Sequence, residues 1–297
     1  LARHSSAIAL DGDLFRRIDD VFRRRQGLGL DAEQLRVLER THLRFMRAGA
    51  GLDAAAKKRM AGIGERLAVL GTAFAQNVLK DEQDWRLVLD GEADLAGLPP
   101  FARAAARRLA EDAGLPGKHV VTLARSSIET FLTFSDRADL RALGFDAWIR
   151  RGANGGPTHN GAIAREMIAL RGEQGRLLGY PTFAHYRLDD AMARTPDAVR
   201  GLLEKVWTAA RSKAGEERDR LAAFAREHGA NATIRASDWR YWAEKVRKAA
   251  YDLDAAEIKP YLQLDRMIEA AFHAAGRLFG LSFREVEGLP LYHPDVR

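Results

Sequence analysis

The chain has eight histidines, and their spacing decides whether one helix could hold a catalytic metal ion. They are His4, His42, His119, His159, His185, His228, His273 and His293. A helix-borne hydrolytic zinc site needs two histidines four residues apart, with a glutamate directly after the first as general base. No two histidines have this spacing, and none is followed by glutamate. We therefore expect no metal ligands and no bound cofactor in this chain.

Mixed carboxylate and imidazole pairs are the next candidates for metal chemistry. They are Glu39 with His42, His185 with Asp189, and Glu269 with His273, at spacings of three or four residues. A metal site brings three or four ligands together, so a single pair is weak evidence for one. We expect His42 to pack within an apolar stripe, and Glu269 and His273 to be partners on a helix surface.

Glycine and serine motifs give no second catalytic candidate. The two Gly-x-Gly-x-x-Ala segments, 27–32 and 49–54, lie between predicted helices, whereas a dinucleotide fingerprint follows a strand. No Gly-x-Ser-x-Gly elbow is present to hold a serine nucleophile. We therefore interpret both glycine segments as turns and assign no catalytic residue.

Aromatic and basic residues concentrate near the end of the chain and form the candidate binding surface. The predicted peptide-contacting residues are Trp239, Tyr241, Lys245, Tyr251 and Tyr261. Ligand sites are commonly lined by aromatic side chains with a few polar groups, which favours a peptide-binding surface. The alternative is that Trp239 and Trp242 belong to the core and the others form a solvated rim.

Composition limits the partners. The net charge is +6, but most basic residues stand beside acids and are not interleaved with aromatics, so we expect no nucleic-acid partner. The longest apolar runs are far shorter than the roughly 18 residues of a membrane helix, so we expect no membrane partner. The absence of cysteine fits a reducing compartment, and a cytoplasmic location is expected.

Helical periodicity dominates the elements that must position these residues. Apolar residues three and four apart predict a long helix over 53–80, paired with the preceding helix in an antiparallel hairpin. Thr195, Pro196 and Asp197 are a capped helix start. A last helix is predicted over 264–279, with Leu264, Met267, Ile268, Ala271, Phe272, Ala275 and Leu278 facing inward.

Only two short segments predict strands, around 85–89 and 118–124, where apolar and polar residues alternate or β-branched residues cluster. The sequence therefore predicts a mainly α fold of helical hairpins and long amphipathic helices with a few short strands. We divide it into an N-terminal hairpin region with a short strand, 1–117, and a second helical region, 118–297.

Several segments of the chain together resemble the thimet oligopeptidase family of zinc metallopeptidases. The segments that carry the resemblance are 74–79, 95–99, 169–171, 177–180, 238–247, 251–254, 259–262, 264–265, 278–281 and 292–296. They are spread over most of the chain, so the resemblance does not depend on one motif.

The resemblance implies one helical lobe of a channel-type peptidase that admits short unfolded peptides. It also implies that the zinc-binding His-Glu-x-x-His helix, a third glutamate ligand, and the tyrosine and histidine that steady the tetrahedral intermediate lie beyond Arg297. On this basis 118–297 is channel wall leading into an absent catalytic core, and zinc belongs to the complete family enzyme. The expected partners are short peptides and the missing catalytic lobe.

Two functions follow from this resemblance. The first is the N-terminal part of a zinc oligopeptidase, which supplies channel wall and size exclusion and is inactive alone. The alternative is a non-catalytic helical module that binds peptides or a partner protein through the aromatic and basic residues near 239–261. A truncated enzyme is expected to expose a broad apolar surface, whereas a self-sufficient module is not.

Overall fold

The computed structural model describes residues 2–230, 233–252, 255–293 and 296, and over them the chain is mainly helical, as predicted. The helices are α1 (Ala2–Ala9), α2 (Gly12–Arg23), α3 (Ala32–Ala48), α4 (Ala54–Asp84), α5 (Pro100–Asp112), α6 (Arg125–Phe134), α7 (Ala138–Ile149), α8 (Gly161–Leu177), α9 (Phe183–Leu188), α10 (Pro196–Glu227), α11 (Trp239–Tyr251), α12 (Ala255–Ile258) and α13 (Leu264–Phe279). The strands are β1 (Arg86–Leu89) and β2 (His119–Thr122). Of the residues that carry the family resemblance, Leu253, Asp254, Pro294 and Asp295 lie outside the described ranges.

Side-chain caps set the starts of the long helices. The Asp31 side chain accepts a hydrogen bond from the Gln34 backbone amide, and the Gln34 side-chain oxygen accepts one from the Asp31 backbone amide, which makes a capping box for α3. Thr195 accepts from the Ala198 amide at 3.2 Å, and Pro196 is the first residue of α10. The predicted start of α10 is therefore confirmed.

Glycine ends α3 in the turn that was predicted between two helices. Gly49 has a φ of 101°, a left-handed conformation that glycine adopts without a Cβ penalty. Its amide donates to the Met46 carbonyl at 3.0 Å. The segment 49–54 is thus an interhelical turn, as predicted.

The two predicted strands pair with each other. β1 and β2 are antiparallel, with Leu87 opposite Val121 and Leu89 opposite His119. Leu87 and Leu89 are buried, and α5, α6 and α7 pack around this sheet. The side chains of this cluster, which we call the sheet core, include Leu87, Leu89, Leu95, Leu98, Ala102, Val121, Ile128, Phe131 and Leu132. This sheet joins residues on both sides of position 117. The proposed division of the chain at that position stays a prediction.

The helical hairpin lies one helix earlier than expected. α3 packs closely on α2, where His42 Nε2 is 3.0 Å from Asp19 Oδ1 and the His42 ring stacks on Phe22. The long helix α4 instead packs on α1 and α8. Two ion pairs, Arg59 with Glu173 and Arg66 with Glu166, show that α4 and α8 run antiparallel. The apolar stripe of α4 therefore has partners other than α3, because α2 already occupies the apolar face of α3.

A polar clamp fixes the loop between α7 and α8 on the end of α4. Asp81 accepts hydrogen bonds from the Gly152 amide at 2.7 Å, from Asn154 Nδ2 at 2.9 Å, and from the Thr158 hydroxyl. Burial raises the pKa of Asp81, but these donors outweigh it and leave that pKa below its ordinary value. The carboxylate thus holds three points of one loop.

No helix among the described residues is both long and apolar enough to cross a membrane.

Candidate functional site

The helix that carries most of the predicted binding residues, α11, is anchored by a buried ion pair. Arg141 of α7 donates from Nη2 to Asp238 Oδ1 at 2.7 Å and from Nη1 to the Ser135 carbonyl at 2.6 Å. Both residues are almost fully buried, at 2% and 5% exposure. Asp238 immediately precedes α11, so this pair fixes where the helix begins relative to the sheet core.

One face of α11 forms a cavity with α10. This cavity of about 210 Å³ is lined by Trp239, Val246 and Tyr251 of α11 together with Leu221 and Glu217 of α10. The indole of Trp239 is half-buried, whereas Tyr251 is 74% exposed. Two of the five predicted residues therefore share one concave surface.

The opposite face of α11 meets the end of α6 instead of that cavity. Tyr241 donates from its hydroxyl to Asp136 Oδ1 at 2.8 Å, and Lys245 Nζ lies 3.6 Å from the same oxygen. The Arg141 guanidinium stands 4.1 Å from the centre of the Tyr241 ring. Residues 239 and 241 are two positions apart on a helix and point in nearly opposite directions, which explains the separation.

Burial and Asp136 also decide the protonation of Tyr241. Burial raises the pKa of Tyr241, and its hydrogen bond to Asp136 raises it further, to about 12. The phenol is therefore neutral near neutral pH and acts as a hydrogen-bond donor. This role positions α11 and is not suited to proton abstraction.

Tyr261 lies apart from both groups. It stands in the short turn after α12 and is 79% exposed. The structure therefore brings together Trp239 with Tyr251, and Tyr241 with Lys245, but does not make one surface of the five. Trp242 is half-buried against Phe224. Whether any of these side chains contacts a peptide stays a prediction.

The last helix presents an uncovered apolar surface, contrary to the expectation that its apolar residues face inward. No side chain of α13 is buried, and Leu278 and Phe279 are each 74% exposed. The segment after α13 extends this surface, since Phe283 stacks on Phe272 with ring centres 4.2 Å apart. We call this set the α13 apolar face; it comprises Leu264, Met267, Phe272, Leu278, Phe279, Leu281, Phe283, Val286, Leu289 and Leu291.

The first half of α10 is uncovered as well. Leu202, Val206 and Trp207 are all exposed, whereas Leu221 and Ala225 in the second half are buried. A contiguous exposed apolar surface of this kind is typical of an interaction site. The helix periodicity correctly predicted an apolar stripe, but only its second half is covered by α11 and its neighbours.

The described residues do not fit a metal site. Across them, no three histidine, aspartate or glutamate side chains converge as ligands for one ion. His42 is hydrogen-bonded and packed, as expected, and Glu269 and His273 are exposed. No step of metal chemistry is therefore assigned to residues of this chain.

Two polar residues that fix local structure, Arg141 beside α11 and Asp81 at the end of α4, are not identified from the sequence. Arg141 lies in a predicted helix and belongs to no motif. Its burial is explained by its ion pair with Asp238, which is distant in the sequence. Asp81 sits near the end of α4 beside two other acids, Glu82 and Asp84. The loop 152–160 is rich in asparagine and glycine, which is typical of an ordered turn. That composition is the sequence signal that could have indicated a hydrogen-bonding partner such as Asp81.

Comparison with known proteins gives a consistent result. Residues 131–297 match the profile of peptidase family M3. Over its whole length the chain is 35% identical to dipeptidyl carboxypeptidase of Escherichia coli (strain K12), of which it covers 44%. It is 30% identical over 90% of its length to oligopeptidase A of the same organism, covering 40% of that protein. Organellar oligopeptidase A of Arabidopsis thaliana is 30% identical over 84% of the chain, which covers 32% of that protein. The chain thus spans less than half the length of these relatives.

Proposed function

The chain belongs to peptidase family M3, and from this premise we propose that it is the non-catalytic portion of a zinc-dependent oligopeptidase that hydrolyses short peptides. In this proposal the chain supplies channel wall and excludes large substrates. In this proposal zinc and the hydrolytic groups belong to the part of the family enzyme that this chain does not span, since it covers 44% of its dipeptidyl carboxypeptidase relative. A cytoplasmic location and the absence of a nucleic-acid partner remain predictions.

The α13 apolar face carries this proposal. It is a large exposed apolar surface on a chain that covers only 44% of its dipeptidyl carboxypeptidase relative. Burying apolar surface stabilises an association by about 25 cal/mol per Å², so such a face favours a covering partner. We propose that the remainder of the M3 protein covers it.

The aromatic groups of α11 have a defined place in this proposal. Trp239 and Tyr251 in the cavity beside α10 are the side chains best placed to contact a peptide, because that cavity is concave and partly apolar. Tyr241 and Lys245 position α11 through Asp136. Tyr261, being fully separate, is the weakest of the five candidates.

A peptidase assay tests the catalytic half of the proposal. The purified chain of 297 residues is incubated with a short internally quenched peptide, with and without added zinc and a chelator. We expect no chelator-sensitive hydrolysis, because a metal ion and an adjacent base are both needed to activate water. Zinc-dependent turnover that the chelator abolishes would contradict the proposal.

Sedimentation velocity tests the covering of the α13 apolar face. We expect the chain to self-associate, and the double variant Leu278→Ser, Phe279→Ser to shift toward monomer. The matched control is Val69→Ser, Leu79→Ser, which changes two exposed apolar residues of α4. A chain that stays monomeric at every concentration would instead favour the alternative function, a self-sufficient peptide- or partner-binding module.

A further inference from the structure

A second cavity is lined by arginines that the proposed peptidase role does not use. It measures about 510 Å³ and lies between α3 and the segment that contains α9. Arg40, Arg44 and Arg47 line it from α3, and Arg187 lines it from α9. Spacings of three and four residues place the three α3 arginines on one face of that helix.

Two of these arginines are held in place by aspartates. Arg40 makes a two-point contact with Asp190, in which Nη2 lies 2.7 Å from Oδ2. Arg47 donates from Nη1 to Asp189 Oδ2 at 3.2 Å. The side-chain hydrogen bond and charge of Arg40 hold the pKa of Asp190 below its ordinary value, so this partner remains ionised.

Arg47 is fixed from further directions. Its guanidinium stands 4.6 Å from the centre of the Tyr186 ring, and the Tyr186 hydroxyl donates to the Arg47 carbonyl at 3.2 Å. Only 13% of its side chain is exposed. Arg47 is therefore preorganised, and a ligand in the cavity does not have to order this side chain on binding.

The other two arginines leave the cavity positively charged. Among the described residues, neither Arg44 nor Arg187 is paired with a carboxylate. Since Asp189 and Asp190 balance Arg47 and Arg40, the four arginines leave a net charge of +2 at the cavity. A dianion would neutralise this charge.

We propose that this cavity binds a small anion that carries phosphate groups. Guanidinium groups match phosphate oxygens with paired hydrogen bonds, and the cavity lining holds two arginines beyond those that the aspartates balance. The volume lies within the range of roughly 300–1,000 Å³ that holds small ligands. Neither the family membership nor the α13 apolar face requires this site.

Isothermal titration of the 297-residue chain with inorganic pyrophosphate tests the proposal. The test variant is Arg44→Gln, Arg187→Gln, which removes the two arginines without a carboxylate partner and leaves both aspartate pairs intact. We expect at least about a tenfold loss of affinity, since each removed group is a charge-assisted donor. Both side chains are exposed, so the variant is expected to fold, and its thermal unfolding is compared with that of the parent.

The matched control is Arg107→Gln, Arg211→Gln, which removes the same charge from exposed arginines on α5 and α10. We expect it to retain the parent affinity within about twofold, because surface charges beyond a Debye length of about 10 Å are screened. Equal loss in both double variants would mean that only the overall charge matters and would overturn the proposal. Absence of pyrophosphate binding to the parent would also overturn it.

A second set of titrations identifies the source of the phosphate group. A nucleoside diphosphate that binds more tightly than pyrophosphate identifies an organic phosphate, and equal affinities identify the inorganic ion. Both results support the site if they depend on Arg44 and Arg187. A short glutamate-rich peptide that binds through these arginines while pyrophosphate does not would overturn the proposal in favour of a peptide site.

Discussion

The sheet core and the α13 apolar face are built from the same kinds of side chain and differ in what covers them. Leu132 in α6 is 1% exposed, whereas Leu278 in α13 is 74% exposed. Both residues lie on apolar stripes of amphipathic helices. Helical periodicity identifies which face is apolar, but whether that face is covered depends on elements distant in the sequence.

The two regions also differ in how they place charge. Beside the sheet core, Arg141 and Asp238 form an ion pair away from water. In α13, by contrast, the described acidic and basic side chains lie at the surface. A buried pair tolerates no loss of one partner, whereas a surface charge can be removed at little cost. The first region is therefore expected to respond to mutation much more strongly than the second.

Substitution of Arg141 is the strongest test of this contrast. We expect Arg141→Met to lower the free energy of unfolding by about 3–5 kcal/mol, because Asp238 would remain buried without its main partner. Urea unfolding followed by circular dichroism measures the change.

Arg235 provides the control for that prediction. It also contacts Asp238, at 3.0 Å, but its side chain is 57% exposed. We expect Arg235→Met to cost no more than about 1 kcal/mol, as for other exposed ion pairs. Equal costs for the two variants would show that burial does not set the strength of the Arg141 pair.

A matched pair of leucine substitutions sharpens the comparison directly. We expect Leu132→Ala to lower the free energy of unfolding by about 2–5 kcal/mol, since it removes buried methyl groups and leaves a cavity. At a protein concentration where the chain is monomeric, Leu278→Ala is expected to change it by no more than about 0.5 kcal/mol, because that side chain is then in water. Urea unfolding of both variants measures the difference. A large cost at Leu278 would mean that the α13 apolar face is covered in the isolated chain.

Local signals in the sequence predicted most of the elements. The Thr195 cap with Pro196 predicted the start of α10, alternating apolar residues predicted β1, and clustered β-branched residues predicted β2. These features depend on neighbours within a few residues, so they can be read from the chain directly.

Packing partners could not be predicted in the same way. Nothing in the sequence of α4 shows that α1 and α8, instead of α3, cover it. The five predicted binding residues also separated, because position 241 projects from the side of α11 opposite to position 239. Likewise, the arginine cavity joins α3 to Arg187, which lies more than a hundred residues further along the chain.

The hydrogen bonds of Asp81 to Gly152 and Thr158 are partly buried, whereas the side chains of the sheet core are buried. We expect substitution of Asp81 to lower the free energy of unfolding less than the substitutions of Arg141 and Leu132, and by an amount that depends on pH. We expect Asp81→Asn to lower the free energy of unfolding by about 1–3 kcal/mol near neutral pH, because the amide cannot accept from all the donors of the loop. The control is Asp84→Asn on the same helix, which removes an exposed partner of Lys80 and is expected to cost less than about 0.5 kcal/mol.

The pH dependence separates loss of the charged clamp from a general packing defect. The pKa of Asp81 in the folded chain lies below its ordinary value of 3.8, so the folded state favours the ionised carboxylate. This stabilisation is complete above 3.8 and is lost as the pH falls through the folded pKa. The difference in unfolding free energy between the parent and Asp81→Asn should therefore shrink in acid. Urea unfolding at a series of pH values measures it, and a difference that stays constant down to about pH 2 would show that the clamp acts through shape alone.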